Sequence, residues 1–204
     1  MECKEIPLYF YSENKTNHTV KNIAILASGS GSNAEKIISH FQGSTKARIA
    51  LIASNKKGAY VLERAKKLNV PSHVFSKAEL ESGEFTEVLR DQKIDFVVLA
   101  GFLLQIPGNL IQAFPDLMVN IHPALLPNYG GKGMYGDNVH RAVKAAGDTE
   151  TGITIHLVNE NYDEGKIIFQ TAVAVGENDS PEQIAEKVHV LEHKYYPKII
   201  ESLI

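Results

Sequence analysis

Three short, unbroken apolar runs set the fold class of this chain. Ile23 to Ala27, Ile49 to Ala53 and Phe96 to Ala100 show none of the polar alternation of a half-exposed strand, and Met118 to Ile121, interrupted only by Asn120, reads as the next strand. That is the pattern of strands covered on both faces. Helical spacing lies between them: Ile37, Ile38 and Phe41 after the first run, Val61 to Leu68 with Leu62 and Ala65 facing in after the second, and Phe85, Val88 and Leu89 before the third. His73 to Phe75 adds a short strand. Strands alternating with helices predict an α/β, Rossmann-like, doubly wound and mostly parallel sheet.

Beyond residue 124 the rhythm changes. Asn128 to Asp137 is a Gly-rich loop, and Val139 to Ala146 reads as a helix ending at Gly147. Ile153 to Val158 and Lys166 to Val175 are strands with only a turn, Asn159 to Gly165, between them, so they are expected to pair antiparallel. Ser180-Pro181-Glu182-Gln183 opens a long C-terminal helix with a Ser cap, Pro at the first position and Gln closing a capping box. Ile184, Val188, Leu191 and Tyr195 form its expected apolar stripe. Residues 1–21 are polar and irregular and read as an N-terminal extension; residues 22–204 read as one domain.

Composition narrows the function classes. The 204 residues carry a formal net charge of −3, which gives no electrostatic footprint for nucleic acid. The single cysteine, Cys3, supports neither a disulfide framework nor a cysteine metal site. Ile6 to Tyr11 is too short for a signal-peptide core, and no apolar run reaches membrane-spanning length. The eight histidines lack metal-ligand spacing such as H-E-x-x-H, so no metal is expected. His40, His73 and His193 read as structural or exposed. The expectation is a cytoplasmic protein with no nucleic-acid or membrane partner.

The chemistry concentrates at Asn120-Ile121-His122-Pro123. Residues two apart on a strand face the same way, so Asn120 and His122 project together from a strand end. One can hydrogen-bond an oxyanion and the other can exchange a proton near neutral pH. A second signal is Ser28-Gly29-Ser30-Gly31-Ser32-Asn33, between a strand and a helix, where backbone amides can cradle a phosphate; the alternative is a turn whose glycines serve geometry alone. Gly29, Gly31 and Ala34 fit a permissive dinucleotide fingerprint, but the second strand ends in Ser54-Asn55-Lys56 rather than the acidic residue a nicotinamide ribose needs. Gly130-Gly131-Lys132-Gly133 fails as a P-loop because Gly133 follows the lysine, and no G-x-S-x-G elbow supports Ser-His-Asp hydrolysis. His156 shares strand parity with Thr154 and Val158 and stays open between a packed core histidine and a chemical role. Asp163, in Asp163-Glu164-Gly165, is a turn residue unless it finds a partner. The obvious partner is His122, whose pKa a buried carboxylate would raise.

Together these motifs, with Val97-Val98-Leu99-Ala100-Gly101-Phe102, Leu125-Leu126-Pro127 and Tyr162-Asp163-Glu164-Gly165, resemble the folate-dependent phosphoribosylglycinamide formyltransferase family of purine synthesis, from about Lys21 to the C-terminus. The resemblance implies 10-formyltetrahydrofolate as co-substrate and glycinamide ribonucleotide as formyl acceptor, without a metal, in a monomer or homodimer. It implies that Asn120, His122 and Asp163 are the catalytic set, with protonated His122 assisting Asn120 at the oxyanion. Gly31, Ser32 and Asn33 would bind the ribonucleotide phosphate, and Glu192 would face the same substrate; by its place beside the apolar stripe, Glu192 otherwise reads as a solvated helix charge. Leu103, Leu104, Gln105 and Ile106 would hold the pterin with Asn120 and the loop Val158 to Asp163. Members often carry an Arg where this chain has Leu103-Leu104-Gln105, and the loop Tyr129 to Asp137 is longer than in many. Another folate formyl-transfer or hydrolase enzyme, and a non-catalytic nucleotide-binding module, are the alternatives.

Overall fold

The computed structural model describes residues 20–204. All but the last two residues of the expected 1–21 extension, Cys3 among them, lie outside that range. The chain runs β1 (Lys21–Leu26), α1 (Ser32–Phe41), β2 (Ala47–Ser54), α2 (Tyr60–Lys67), β3 (Ser72–Val74), α3 (Lys77–Ser82), α4 (Glu84–Asp91), β4 (Phe96–Leu99), α5 (Gly108–Ala113), β5 (Met118–His122), α6 (Asp137–Ala146), β6 (Glu150–Leu157), β7 (Ile167–Ala174) and α7 (Pro181–Leu203).

These strands form one sheet in the order β3-β2-β1-β4-β5-β6-β7. β3 to β5 are parallel, whereas β5–β6 and β6–β7 are antiparallel. Alternate residues of β1 explain why its sequence is apolar throughout. Ile23 and Ile25 pack with Ile37 and Phe41 of α1 and with Val188 and Tyr196 of α7. Ala24 and Leu26 pack on the other face with Phe75, Leu80, Phe85 and Leu110. Strand order reverses between β1 and β4, and the loops leaving the carboxyl ends of these strands diverge there to leave a crevice.

Three expectations change in detail. α3 and α5 were not foreseen. α3 is capped by Ser76, which accepts from the Glu79 amide while the Glu79 carboxylate accepts from the Ser76 amide. In α2 the fully buried residues are Val61 and Ala65, with Leu62 only partly covered. In α7 the buried row is Ile184, Val188, Glu192, Tyr196 and Ile200, spaced four apart, while Leu191 and Tyr195 are partly covered. A fully buried Tyr196 fixes that rotation by donating its hydroxyl to the carbonyls of Leu99 (2.8 Å) and Val119 (3.2 Å). Glu192 is therefore carried inward at 6% exposure, and the solvated-charge reading fails.

Candidate active site

A cavity of about 620 Å³ occupies the crevice beyond β1, β4 and β5. Asn120, His122 and Asp163 all line it, as do Gly31, Ser32, Asn33, Glu192, Leu103 to Ile106 and Val158. Every residue assigned to the site from sequence thus meets at one place.

The register of the antiparallel ladder builds the polar centre. Asn120 lies opposite His156, and His122 opposite Thr154. The Nδ1–H of His156 donates to the Leu157 carbonyl at 2.8 Å, because a carbonyl can only accept. That leaves Nε2 of His156 to take one Asn120 amide hydrogen at 3.1 Å. The other amide hydrogen points along a long 3.5 Å approach to Asp163 Oδ1.

His122 is oriented by the same logic. Its Nε2 lies 2.7 Å from the carbonyl oxygen of Tyr129 and must carry the hydrogen. Nδ1 faces Asp163 Oδ2 at 3.5 Å. Burial lowers the pKa of His122, and the pull upward from Asp163 and the Tyr129 carbonyl does not offset it. The upward shift expected from the Asp163 pairing is thus reversed, because desolvation of a side chain 4% exposed outweighs one carboxylate. Neutral His122 carries its proton on Nε2 and leaves Nδ1 bare.

Asp163 sits at φ +58° in the β6–β7 turn. Its Oδ2 accepts the Gly131 amide at 2.9 Å, and its Oδ1 lies 3.6 Å from His156 Nε2. Burial alone would raise this carboxyl, but His156, His122 and the Gly131 amide together hold it below its ordinary range. Gly130 packs closely beside it: a Cβ there would stand 3.4 Å from Asp163 Cβ and 2.7 Å from Leu126 Cδ2, so that leucine would have to swing aside.

The far end of the cavity starts at α1. Gly31 caps the helix at φ +74° with no side-chain cap, which leaves the amides of the first turn unused by a cap. Its Cβ would overlap Val61, so glycine is needed on two counts. Asn33 Nδ2 donates to Glu192 Oε2 at 2.9 Å. Burial raises the Glu192 pKa against the opposing effects of Asn33 and His189. Three buried atoms here lack a hydrogen-bond partner: Asn33 Oδ1, His140 Nδ1 and His193 Nε2. His189, Glu192 and His193 lie at i, i+3 and i+4 on α7, a spacing that put the two histidines within reach of sequence reasoning. His193, read as structural or exposed, is partly buried and does not line the cavity, although its Nε2 lacks a partner. Burial pushes His140 down to about 4, with His189 and His122 adding to the effect.

At the other end, the segment after β4 is fixed by hydrogen bonds between side chains and backbone groups. The Ser28 hydroxyl donates to Asn55 Oδ1 at 2.7 Å and accepts the Leu103 amide at 3.0 Å. Ser28 therefore serves this segment rather than the α1 turn. Gln105 Nε2 donates to the Glu160 carbonyl at 2.9 Å, tying the segment to the β6–β7 turn. Ile106 is buried, and Leu103 is 37% exposed. Among the described residues, no group of three or more His, Cys, Asp or Glu is arranged to hold a metal ion. Among them, too, no helix is long and apolar enough to cross a membrane.

Comparison with known proteins agrees with this arrangement. The family model described as formyl transferase matches residues 21–200. A chloroplastic phosphoribosylglycinamide formyltransferase of Arabidopsis thaliana is 45% identical over 90% of the chain, which spans 65% of that protein's length. The Bacillus subtilis phosphoribosylglycinamide formyltransferase is 38% identical over 91% of the chain and 95% of its own length. The crystal structure of glycinamide ribonucleotide transformylase 1 from Symbiobacterium toebii superposes with a TM-score of 0.83 at 32% identity, covering 93% of this chain and 90% of that one. With a match that takes in every strand, both ends of the cavity and the polar centre between them, this chain belongs to the formyl transferase family.

Proposed function

We propose that this chain transfers the formyl group of 10-formyltetrahydrofolate to the amine of glycinamide ribonucleotide, a step of purine biosynthesis, and that residues 22–204 contain all the machinery. One observation carries the reading. A single cavity joins an uncapped helix N-terminus at Gly31 to Asn120, His122 and Asp163, and those to the Leu103–Ile106 segment. A phosphate-bearing amine at one end and a flat folate at the other would meet at the polar centre. The names of the Bacillus subtilis and Arabidopsis thaliana relatives support this choice of substrates.

The amine attacks the formyl carbon and drives an electron pair onto the formyl oxygen. The Asn120 hydrogen not given to His156 leaves its long 3.5 Å approach to Asp163 Oδ1 and donates to that oxygen, stabilising charge that is present mainly in the transition state. His122 enters neutral, and bare Nδ1 takes the proton released by the amine. Asp163 then stabilises the imidazolium. The bond from carbon to the folate N10 breaks, its electron pair goes to N10, and His122 returns the proton there. Formylated ribonucleotide and tetrahydrofolate leave, and the scheme calls for no metal. His122 thus works as a base first, rather than entering charged.

Gly31, Ser32 and Asn33 would bind the phosphate through backbone amides, and Glu192 the ribonucleotide beside it. Leu103, Leu104, Gln105, Ile106 and Val158 would contact the pterin. The proposal carries with it a cytoplasmic protein that acts as a monomer or homodimer without nucleic-acid or membrane partners. Mixing the protein with both substrates and following the folate absorbance tests it. A change that needs both substrates is expected; a change with formylfolate alone would mean hydrolysis instead.

A further inference from the structure

Tyr129 and Asp148 hold no substrate, since neither lines the main cavity; both border a separate cleft of about 180 Å³. Tyr129 nevertheless supplies the carbonyl that receives His122 Nε2–H at 2.7 Å. It does so from φ +57°, a backbone conformation that a bulky residue rarely takes. Two contacts hold it there. Its ring packs against the cluster of Ala124, Val139, Val143 and Ile184. Its hydroxyl donates to Asp148 Oδ2 at 2.6 Å. Asp148 is itself anchored at the end of α6, where its amide donates to the Val143 carbonyl.

We propose that Asp148 and Tyr129 are positioning residues for His122, keeping its proton on Nε2 and its Nδ1 free to act as the base. Nδ1 faces the Asp163 carboxylate at 3.5 Å. A ring that loses its carbonyl acceptor therefore gains by moving its proton to Nδ1 and bonding Asp163. That tautomer has no lone pair where the amine must be deprotonated. The contact is made by a backbone atom, and so Tyr129 and Asp148 act on the ring of His122 without themselves lining the main cavity.

This inference rests on the proposed formyl transfer, and its test separates the two. Tyr129→Phe removes the hydroxyl and keeps the ring in its cluster. The variant is expected to lose about 10-fold in kcat, with KM for both substrates changed by less than about 2-fold. Nitrogen NMR of the His122 imidazole should show the hydrogen shifting from Nε2 towards Nδ1. Asp148→Asn retains an acceptor oxygen for the hydroxyl and should keep the wild-type tautomer and most of the turnover, whereas Asp148→Ala should behave as Tyr129→Phe does. Unchanged imidazole signals in Tyr129→Phe would overturn the proposal, whatever happens to its rate. If the wild-type protein fails to transfer formyl groups, the proposed function fails, and the imidazole signals still decide whether the tether sets the tautomer.

Discussion

Asn120 and His156 face one another across the β5–β6 ladder, with the Asn120 amide 3.1 Å from His156 Nε2. This contact fixes which way round the Asn120 amide sits. It spends one hydrogen on His156 and leaves the other on the long 3.5 Å approach to Asp163 Oδ1, the weaker of the two contacts. His156→Phe keeps a ring but removes the acceptor, so the Asn120 amide loses its reference. Turnover is expected to fall by about 10- to 100-fold with a correctly folded protein. Steady-state kinetics alongside circular dichroism checks this, and an unchanged kcat would make His156 a packing residue.

Asn120 itself is the proposed oxyanion donor. Asn120→Ala should cost roughly 2.7–4 kcal/mol of transition-state stabilisation. The loss should appear in kcat and in kcat/KM alike. A loss seen only in KM would show that Asn120 positions substrate.

Replacing Asp163 by Asn tests the electrostatics. Asp163 raises the pKa of His122 against a larger lowering by burial. Removing the negative charge leaves burial less opposed, so the His122 pKa moves further down. The limb of the pH–rate profile governed by His122 should move to lower pH, and turnover should drop because the imidazolium loses its counter-charge. Titration of His122 by NMR reads the shift directly; an upward or absent shift would separate Asp163 from His122.

His140 links the site to acid stability. It binds a proton at about 4 in the folded protein, against 6.5 for an ordinary histidine. Between these values the unfolded chain is protonated and the native one is not, so stability falls as pH drops from 6.5 towards 4. The contribution is at most about 1.4 kcal/mol per pH unit. His140→Gln should flatten this part of the stability curve. Urea unfolding of both proteins across this range is the measurement, and equal slopes would contradict the account.

The fold class was legible because parallel strands buried on both faces leave unbroken apolar runs. Helix α5 was not, since it opens with Gly108 and buries only Leu110, too little for a periodic signal. Helix α3 was missed although Ser76 and Glu79 spell out its cap. In the site, Asn120 and His122 could be paired from strand spacing alone. The Gly31 turn was legible as a phosphate cradle from its place between a strand and a helix, whereas the placing of Asp163 and Glu192 at the site was carried by family resemblance, because their proximity depends on chain reversals far from their own neighbourhoods. His156 became assignable only with the β5–β6 register. The Tyr129 contact left no trace in side-chain chemistry, being made by a backbone carbonyl. The direction of the His122 shift depended on how deeply the ring is buried, which spacing does not report.

A single-turnover reaction with an isotopically labelled formyl carbon tests the central claim most directly. NMR would follow the label after mixing 10-formyltetrahydrofolate with glycinamide ribonucleotide and excess protein. The label is expected to appear on the ribonucleotide amine, with no free formate, and His122→Ala should slow its arrival by at least about 100-fold. Label released as formate, or label reaching the amine as fast in His122→Ala as in the wild-type protein, would contradict direct transfer at the Asn120–His122–Asp163 centre.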